Sequence, residues 1–305
     1  MAVRDRVFAS RAERENYYKL SRQWGEKYRI YHNLPFLNVF TTTSLVDWET
    51  LGPLTLEPFD GGRLKKTSID YTLCDENDAP LLCIDFDGLN DGVNLGTRYH
   101  AERPADPWRE QITELKLRVA HGSMFPYFVV GSKQFADLGK NLQVTVVDGV
   151  IGDVLSRKAT LERFAKGFTA DDVNMSQEEF DELTPWEQNE IVQDWALGIE
   201  VENEFEYNPI TRLSAELQEK AGIRGHSWQY VEYPPISPDV PLEERVRLLE
   251  RSTLMGAKCS VTFRGREVER TVWIPNFNTP YFSGLGLLEE LGTIAATLAA
   301  INGET

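Results

Sequence analysis

Three aspartates sit inside two short apolar segments, and they constrain this chain more than any other feature. Ile69-Asp70-Tyr71 lies in a run of β-forming residues from Thr67 to Cys74. Ile84-Asp85-Phe86-Asp87-Gly88 closes a second run that begins at Leu81. Between them Asp75-Glu76-Asn77-Asp78-Ala79-Pro80 is a turn cluster, so the two runs are predicted to form an antiparallel hairpin. Strand side chains alternate, which puts Cys83, Asp85 and Asp87 on one face and Leu82, Ile84 and Phe86 on the other. A buried carboxylate is costly unless it is paired or binds a cation. A hard cation such as Mg²⁺ takes oxygen ligands and keeps several waters, so two or three carboxylates suffice, with Asp70 joining from the partner strand. The competing reading is that Asp85 or Asp87 merely ends its strand before the Gly88 turn.

The 305 residues are enough for a large core, in one big domain or two. No apolar run is long enough to span a membrane, and Met1 to Arg6 lacks the apolar core of a secretory signal. Cys74, Cys83 and Cys259 are too few and too widely spaced for a disulfide framework or a zinc site. A cytoplasmic protein with no membrane partner is expected. The net charge of −16 opposes a polyanionic partner only on average. Thirteen acidic residues and no Lys or Arg lie between Gly167 and Thr211, and the rest of the chain is near neutrality, with 35 acidic against 32 basic residues. The first thirty-one residues are net basic through Arg4, Arg6, Arg11, Arg14, Lys19, Arg22, Lys27 and Arg29. Such a local surface can bind phosphate, or it can be a solvated helix face.

Ser10-Arg11-Ala12-Glu13 is a capping box opening a helix to about Lys27, with Tyr17, Leu20 and Trp24 as its apolar stripe. Tyr28 to Phe40 reads as extended chain leading into a strand, and Trp48 to Arg63 as loop. The two aspartate strands follow. Leu89 to Pro107 is a long connection without periodicity, a type of loop that is often functional. A helix is predicted from Pro107 to about His121, then a strand over Phe125–Val130 and another from Lys140 to Val147. The order predicts a mixed α/β sheet with helices packed on it. Asp70, Asp85, Asp87 and the helix carrying Lys116 then fall near one edge.

Farther on, Ser176 to Glu179 and Thr184 to Glu187 are capping boxes that predict two short acidic helices, which offer no basic residue to a phosphate backbone. Ile199 to Tyr207 has glutamate at every even position and predicts a half-buried strand with an acidic face. An amphipathic helix is predicted over 241–255. A hairpin follows about Arg264-Gly265-Arg266, with Lys258, Arg264, Arg266 and Arg270 as a small basic patch, and a last apolar helix covers roughly Leu285 to Ile301.

Residues 10–135 resemble the PD-(D/E)xK nuclease superfamily, nearest to the branch of very-short-patch-repair endonucleases. The matching parts are the helix with Glu13, the strand with Asp70, the strand ending in Asp85-Phe86-Asp87-Gly88, the helix with Lys116, and Met124-Phe125-Pro126-Tyr127-Phe128. The superfamily's usual lysine, two residues after the second acid, is Asp87 here, an acid that the branch tolerates. The resemblance implies a restriction endonuclease-like mixed sheet flanked by helices in residues 1–145. An accessory α+β region would occupy 146–305, including the acidic segment 167–211. It implies a Mg²⁺- or Mn²⁺-dependent endonuclease that hydrolyses DNA phosphodiester bonds. Asp70, Asp85 and Asp87 would be the metal ligands. Glu13 would add a ligand or hold a water, against its structural role as the capping-box acid. Lys116 would replace the missing lysine in space, with Lys65 and Lys66 as alternatives, and His100 would be the histidine that follows Asp-Gly. The other reading is a catalytically silent nuclease-like module that binds DNA or protein, with the acidic region facing a protein partner. Another enzyme substrate, a nucleotide or RNA, is a third.

Overall fold

The computed structural model describes residues 8–40, 64–233, 241 and 253–304. The loop expected at Trp48–Arg63 and most of the helix expected over 241–255 lie outside these residues.

The first half is built on a four-stranded mixed sheet. Helix α1 (Arg11–Trp24) opens with the expected capping box: Glu13 N donates to Ser10 Oγ (3.0 Å) and Ser10 N donates to Glu13 Oε2 (3.2 Å). It buries Leu20 and Trp24 against the sheet. Strand β1 (Arg29–Pro35) and a short helix α2 (Phe36–Val39) follow, then β2 (Ser68–Cys74) and β3 (Pro80–Phe86). Strands β2 and β3 are antiparallel, as the turn cluster predicts. After a small hairpin, β4 (Val93–Leu95) and β5 (Arg98–His100), helix α3 (Pro107–Gly122) crosses to β6 (Tyr127–Val130). Strand β6 pairs with β3 in parallel, and the sheet order is β1-β2-β3-β6. The crossover helix starts where Asp106 accepts a hydrogen bond from Trp108 N (3.0 Å) and Pro107 takes the first turn, where a missing N–H costs nothing.

Alternation sorts the sheet into two faces. Tyr71, Leu73, Leu82, Ile84, Phe128 and Val130 enter one core with Leu20 and Trp24 of α1. Cys83, Tyr127 and Val129 face the other way, into a second core with Leu115, Leu117 and Val119 of α3. Asp70 and Asp85 share this second face.

In the second half α4 (Val146–Ala165) precedes a 3₁₀ turn, Ala170–Val173. Then come α5 (Gln177–Asp181), α6 (Pro185–Tyr207) and α7 (Pro209–Ala221). A three-stranded sheet, β7 (His226–Val231), β8 (Leu254–Phe263) and β9 (Arg266–Pro275), is backed by α8 (Leu285–Asn302). The hairpin between β8 and β9 turns on Arg264 and Gly265, both at positive φ.

Several expectations are corrected. Ile199–Tyr207 is not a strand but the last part of α6, a helix of 23 residues, so the second acidic helix is long. Lys140–Val147 is not a strand either. Thr145 makes one isolated bridge to Asp137 and is the N-cap of α4, whose capping box it forms with Asp148. The predicted helix over 241–255 ends inside β8, at Leu254 and Met255. The connection 89–107 contains β4 and β5. Helix α8 is long and apolar enough to cross a membrane by length and composition alone, with Glu289 and Glu290 interrupting its apolar run; it packs on β8, β9 and α7 and buries Leu287, Leu288, Ile294 and Ala299. The boundary expected at 145/146 falls at the N-cap of α4, and one hydrophobic cluster joins Tyr71 and Ile84 to Val150, Ile274 and Leu288 across it.

Candidate active site

The β2–β3 register pairs Tyr71 with Ile84, and its continuation sets Asp70 opposite Asp85. At this point side chains take over the ladder. Asp70 N donates to Asp85 Oδ1 (3.2 Å), and Phe86 N donates to Asp70 Oδ2 (2.8 Å). The carboxylates therefore interlock across the ends of the two strands.

Helix α3 brings Lys116 onto them. Its Nζ donates to Asp85 Oδ2 (2.8 Å) and to the Ser68 carbonyl (2.6 Å). Tyr127 of β6 donates its hydroxyl to the same Asp85 oxygen (2.7 Å). Burial and Asp85 hold the Tyr127 phenol far above its ordinary pKa, so it remains a donor. Asp70 has less compensation. Burial first, and then the charge of Asp85, push its carboxyl up to about 7, against the opposing Phe86 N–H and Lys116.

Asp87 lies one step past the strand, with its N–H on Val130 O (2.8 Å). Its carboxylate accepts from the Tyr99 hydroxyl and from Asn90 N (3.1 Å), and it pairs with Arg109 at 3.4 Å. All three aspartates line one cleft of about 710 Å³, together with Lys66, Trp108, Arg109 and Lys116.

Glu13 stands apart from this cluster. Besides its capping role it meets His32 of β1, Oε1 to Nε2 at 2.6 Å, and both side chains are buried at 7% and 8% exposure. His32 is opposite Tyr71, on the other face of the sheet from Asp70. His100 and Lys65 are not among the cleft residues, whereas Lys66 is. Sequence reasoning missed Tyr99, Tyr127, Arg109 and the partner of Glu13. Among the described residues, several of the N-terminal basic side chains are engaged within the chain: Arg11 with Glu15, Lys19 with Asp137 and Arg29 with Asp78.

Among the described residues no group of three or more His, Cys, Asp and Glu side chains is arranged to hold a metal ion. Two carboxylates are a different matter. A carboxylate has about four lone-pair sites. Asp85 uses three on Asp70 N, Lys116 and Tyr127, and Asp70 uses one on Phe86 N. The pair thus keeps acceptor capacity, and the burial beside the Asp85 charge that raises Asp70 is what a cation would offset. Asp70 and Asp85 fit a hard, largely hydrated dication, while Asp87 is committed to Tyr99, Asn90 and Arg109.

Comparison with protein-family models, with curated proteins and with solved structures finds no match to this chain.

Proposed function

We propose that the protein is a metal-dependent nuclease that hydrolyses DNA phosphodiester bonds in the Asp70–Asp85 cleft, on a restriction endonuclease-like core. The observation that carries this reading is the meeting of Asp70, Asp85 and Lys116 in one cleft. The lysine absent from position 87 is supplied from α3, and its ammonium lies 2.8 Å from the carboxylate it would serve. The order α1-β1-β2-β3-α3-β6, with the short α2 and the β4–β5 hairpin inserted in it, and the mixed sheet support the same reading.

Asp70 and Asp85 would hold Mg²⁺ or Mn²⁺, which when bound supplies Lewis-acid activation of water and neutralises charge on the phosphate. Lys116 orients the attacking water or offsets the charge that develops on the phosphoryl oxygens. Arg109, held by Asp87, offers a planar donor pair suited to a phosphate at the cleft mouth. Trp108, half-exposed at the same wall, offers an aromatic face to a base.

A specific observation favours the second reading, a nuclease-like module that binds without cutting. Asp85 Oδ2 already accepts both Lys116 and Tyr127, so most of the Asp85 carboxylate is engaged by the protein itself. The full chain incubated with single- and double-stranded DNA and Mg²⁺ or Mn²⁺ separates the two. Cleavage that Asp85→Ala abolishes supports the nuclease. DNA retention without cleavage across metals and substrates supports the binding module.

A further inference from the structure

Helix α6 is apolar on both sides. Ile199 is buried against the body of the protein, and Trp195, Ala196 and Tyr207 are half-buried. A surface helix in that position should turn charged residues to water. Instead Leu197, Val201 and Phe205, spaced four apart and therefore on one line of the helix, are 59%, 49% and 46% exposed. Apolar residues scattered singly on a surface are ordinary, but three in one contiguous line are characteristic of a contact surface.

The charge around the line says what would cover it. Glu190 and Asp194 precede it on the same face, and Glu200 flanks it. Among the described residues Glu190, Asp194 and Glu200 make no ion pair; Arg163, paired with Asp172, and Lys166 lie in the cleft on the Trp195 and Ile199 side of the helix. An anionic lipid surface or a nucleic acid would be repelled by this rim. A second copy of α6 would set acid against acid. An amphipathic segment with an apolar stripe and basic flanks matches both the line and the rim.

We infer that the Leu197–Val201–Phe205 line of α6 is a docking site for a basic, amphipathic helix of a partner protein. The acidic rim steers and orients the partner, and the apolar line holds it. This surface is independent of the Asp70–Asp85 cleft.

The probe is a fluorescein-labelled 18-residue peptide with leucines on one helical face and lysines on the other. Two control peptides accompany it, one of the same composition with the faces scrambled and one with glutamates for the lysines. Fluorescence anisotropy with the full chain should show binding of the first peptide only, weakened by added salt. Leu197→Ser combined with Val201→Ser should weaken it at least about tenfold. Both side chains are exposed, and an unchanged thermal melt verifies that the variant folds. Equal binding of the scrambled peptide, an unaffected double variant, or no binding to the wild-type chain would overturn the inference. So would a concentration-dependent dimer in sedimentation that the double variant loses, since a second copy would then be the occupant.

Discussion

Lys116 and Asp85 form a buried ion pair across the α3–β3 interface, with Nζ 2.8 Å from Oδ2 and the two side chains 9% and 14% exposed. Lys116 also caps the Ser68 carbonyl, so one ammonium ties the helix to both aspartate strands. Removing one partner of such a pair leaves a buried charge uncompensated, at a cost of about 3–5 kcal/mol. Lys116→Met keeps most of the stem's packing and should lose that amount in urea denaturation. Asp85→Asn introduced into the Lys116→Met chain should restore part of it. If the losses of the two single variants simply add in the double variant, the pair is not the unit described here.

The commitment of Asp87 to Tyr99, Asn90 and Arg109 predicts which carboxylates respond to a dication. Mn²⁺ or Mg²⁺ at a hundred times its dissociation constant should raise the stability of the wild-type chain by about 2.7 kcal/mol. Asp70→Asn and Asp85→Asn should each abolish the thermal shift, and Asp87→Asn should retain it. An Asp87→Asn chain as unresponsive as Asp85→Asn would restore the three-carboxylate set that the sequence suggests.

The parts of this site that were legible in the sequence are those carried by local pattern. The apolar runs around Asp70 and Asp85 and the turn between them are short-range signals, and they give the strands, the register and the shared face. The helix placing Lys116 is likewise announced by Pro107 and by the spacing of Ile112, Leu115 and Val119. Tyr99 was not legible because three-residue strands are too short to show a period. Nor was the Glu13–His32 contact, because it joins two elements through space. The reading of Ile199–Tyr207 failed for a physical reason. Alternating Glu and apolar residues satisfy a strand with one wet face, but glutamate also favours a helix, and the capping box at Thr184 had already started one. The apolar residues thus mark two sides of a helix, one packed on the body and one facing water. Val144 to Val147 misled in the opposite direction, since a β-branched run concealed the Thr145–Asp148 capping box.

Buried carboxylates in the second half predict how stability varies with pH. Burial, with Glu204 nearby, pushes Asp153 up to about 6, against the N–H groups of Ser283 and Gly284, and burial pushes Glu290 up to about 7. In the unfolded chain such groups titrate near 4. Between these values the native state holds protons that the unfolded state has released, so stability falls as pH rises from about 4 to about 7 through these groups. Asp153→Asn keeps an oxygen to accept from Ser283 and removes the charge. Urea denaturation between pH 4.5 and 8 should show the variant gaining roughly 2–3 kcal/mol on the wild type toward the alkaline end. Parallel profiles for the two proteins would contradict the assignment.

Two glycines in neighbouring helices should answer the same substitution with opposite signs. A Cβ on Gly152 of α4 would stand 2.7 Å from Asn208 Cα and 2.8 Å from its Cγ. Asn208 joins α6 to α7 and caps the second, accepting from Ile210 N at 3.0 Å, so it cannot retreat without opening that junction. Overpacking of this kind costs about 1–3 kcal/mol, which the better helix propensity of alanine offsets by at most about 1 kcal/mol. Gly198 of α6 has nothing within 4 Å of the same position, so there alanine brings only the propensity gain. Gly152→Ala should lower the denaturation midpoint, and Gly198→Ala should raise stability by about 0.5–1 kcal/mol. A stabilised Gly152→Ala chain would mean that α4 and the α6–α7 junction are not in close contact.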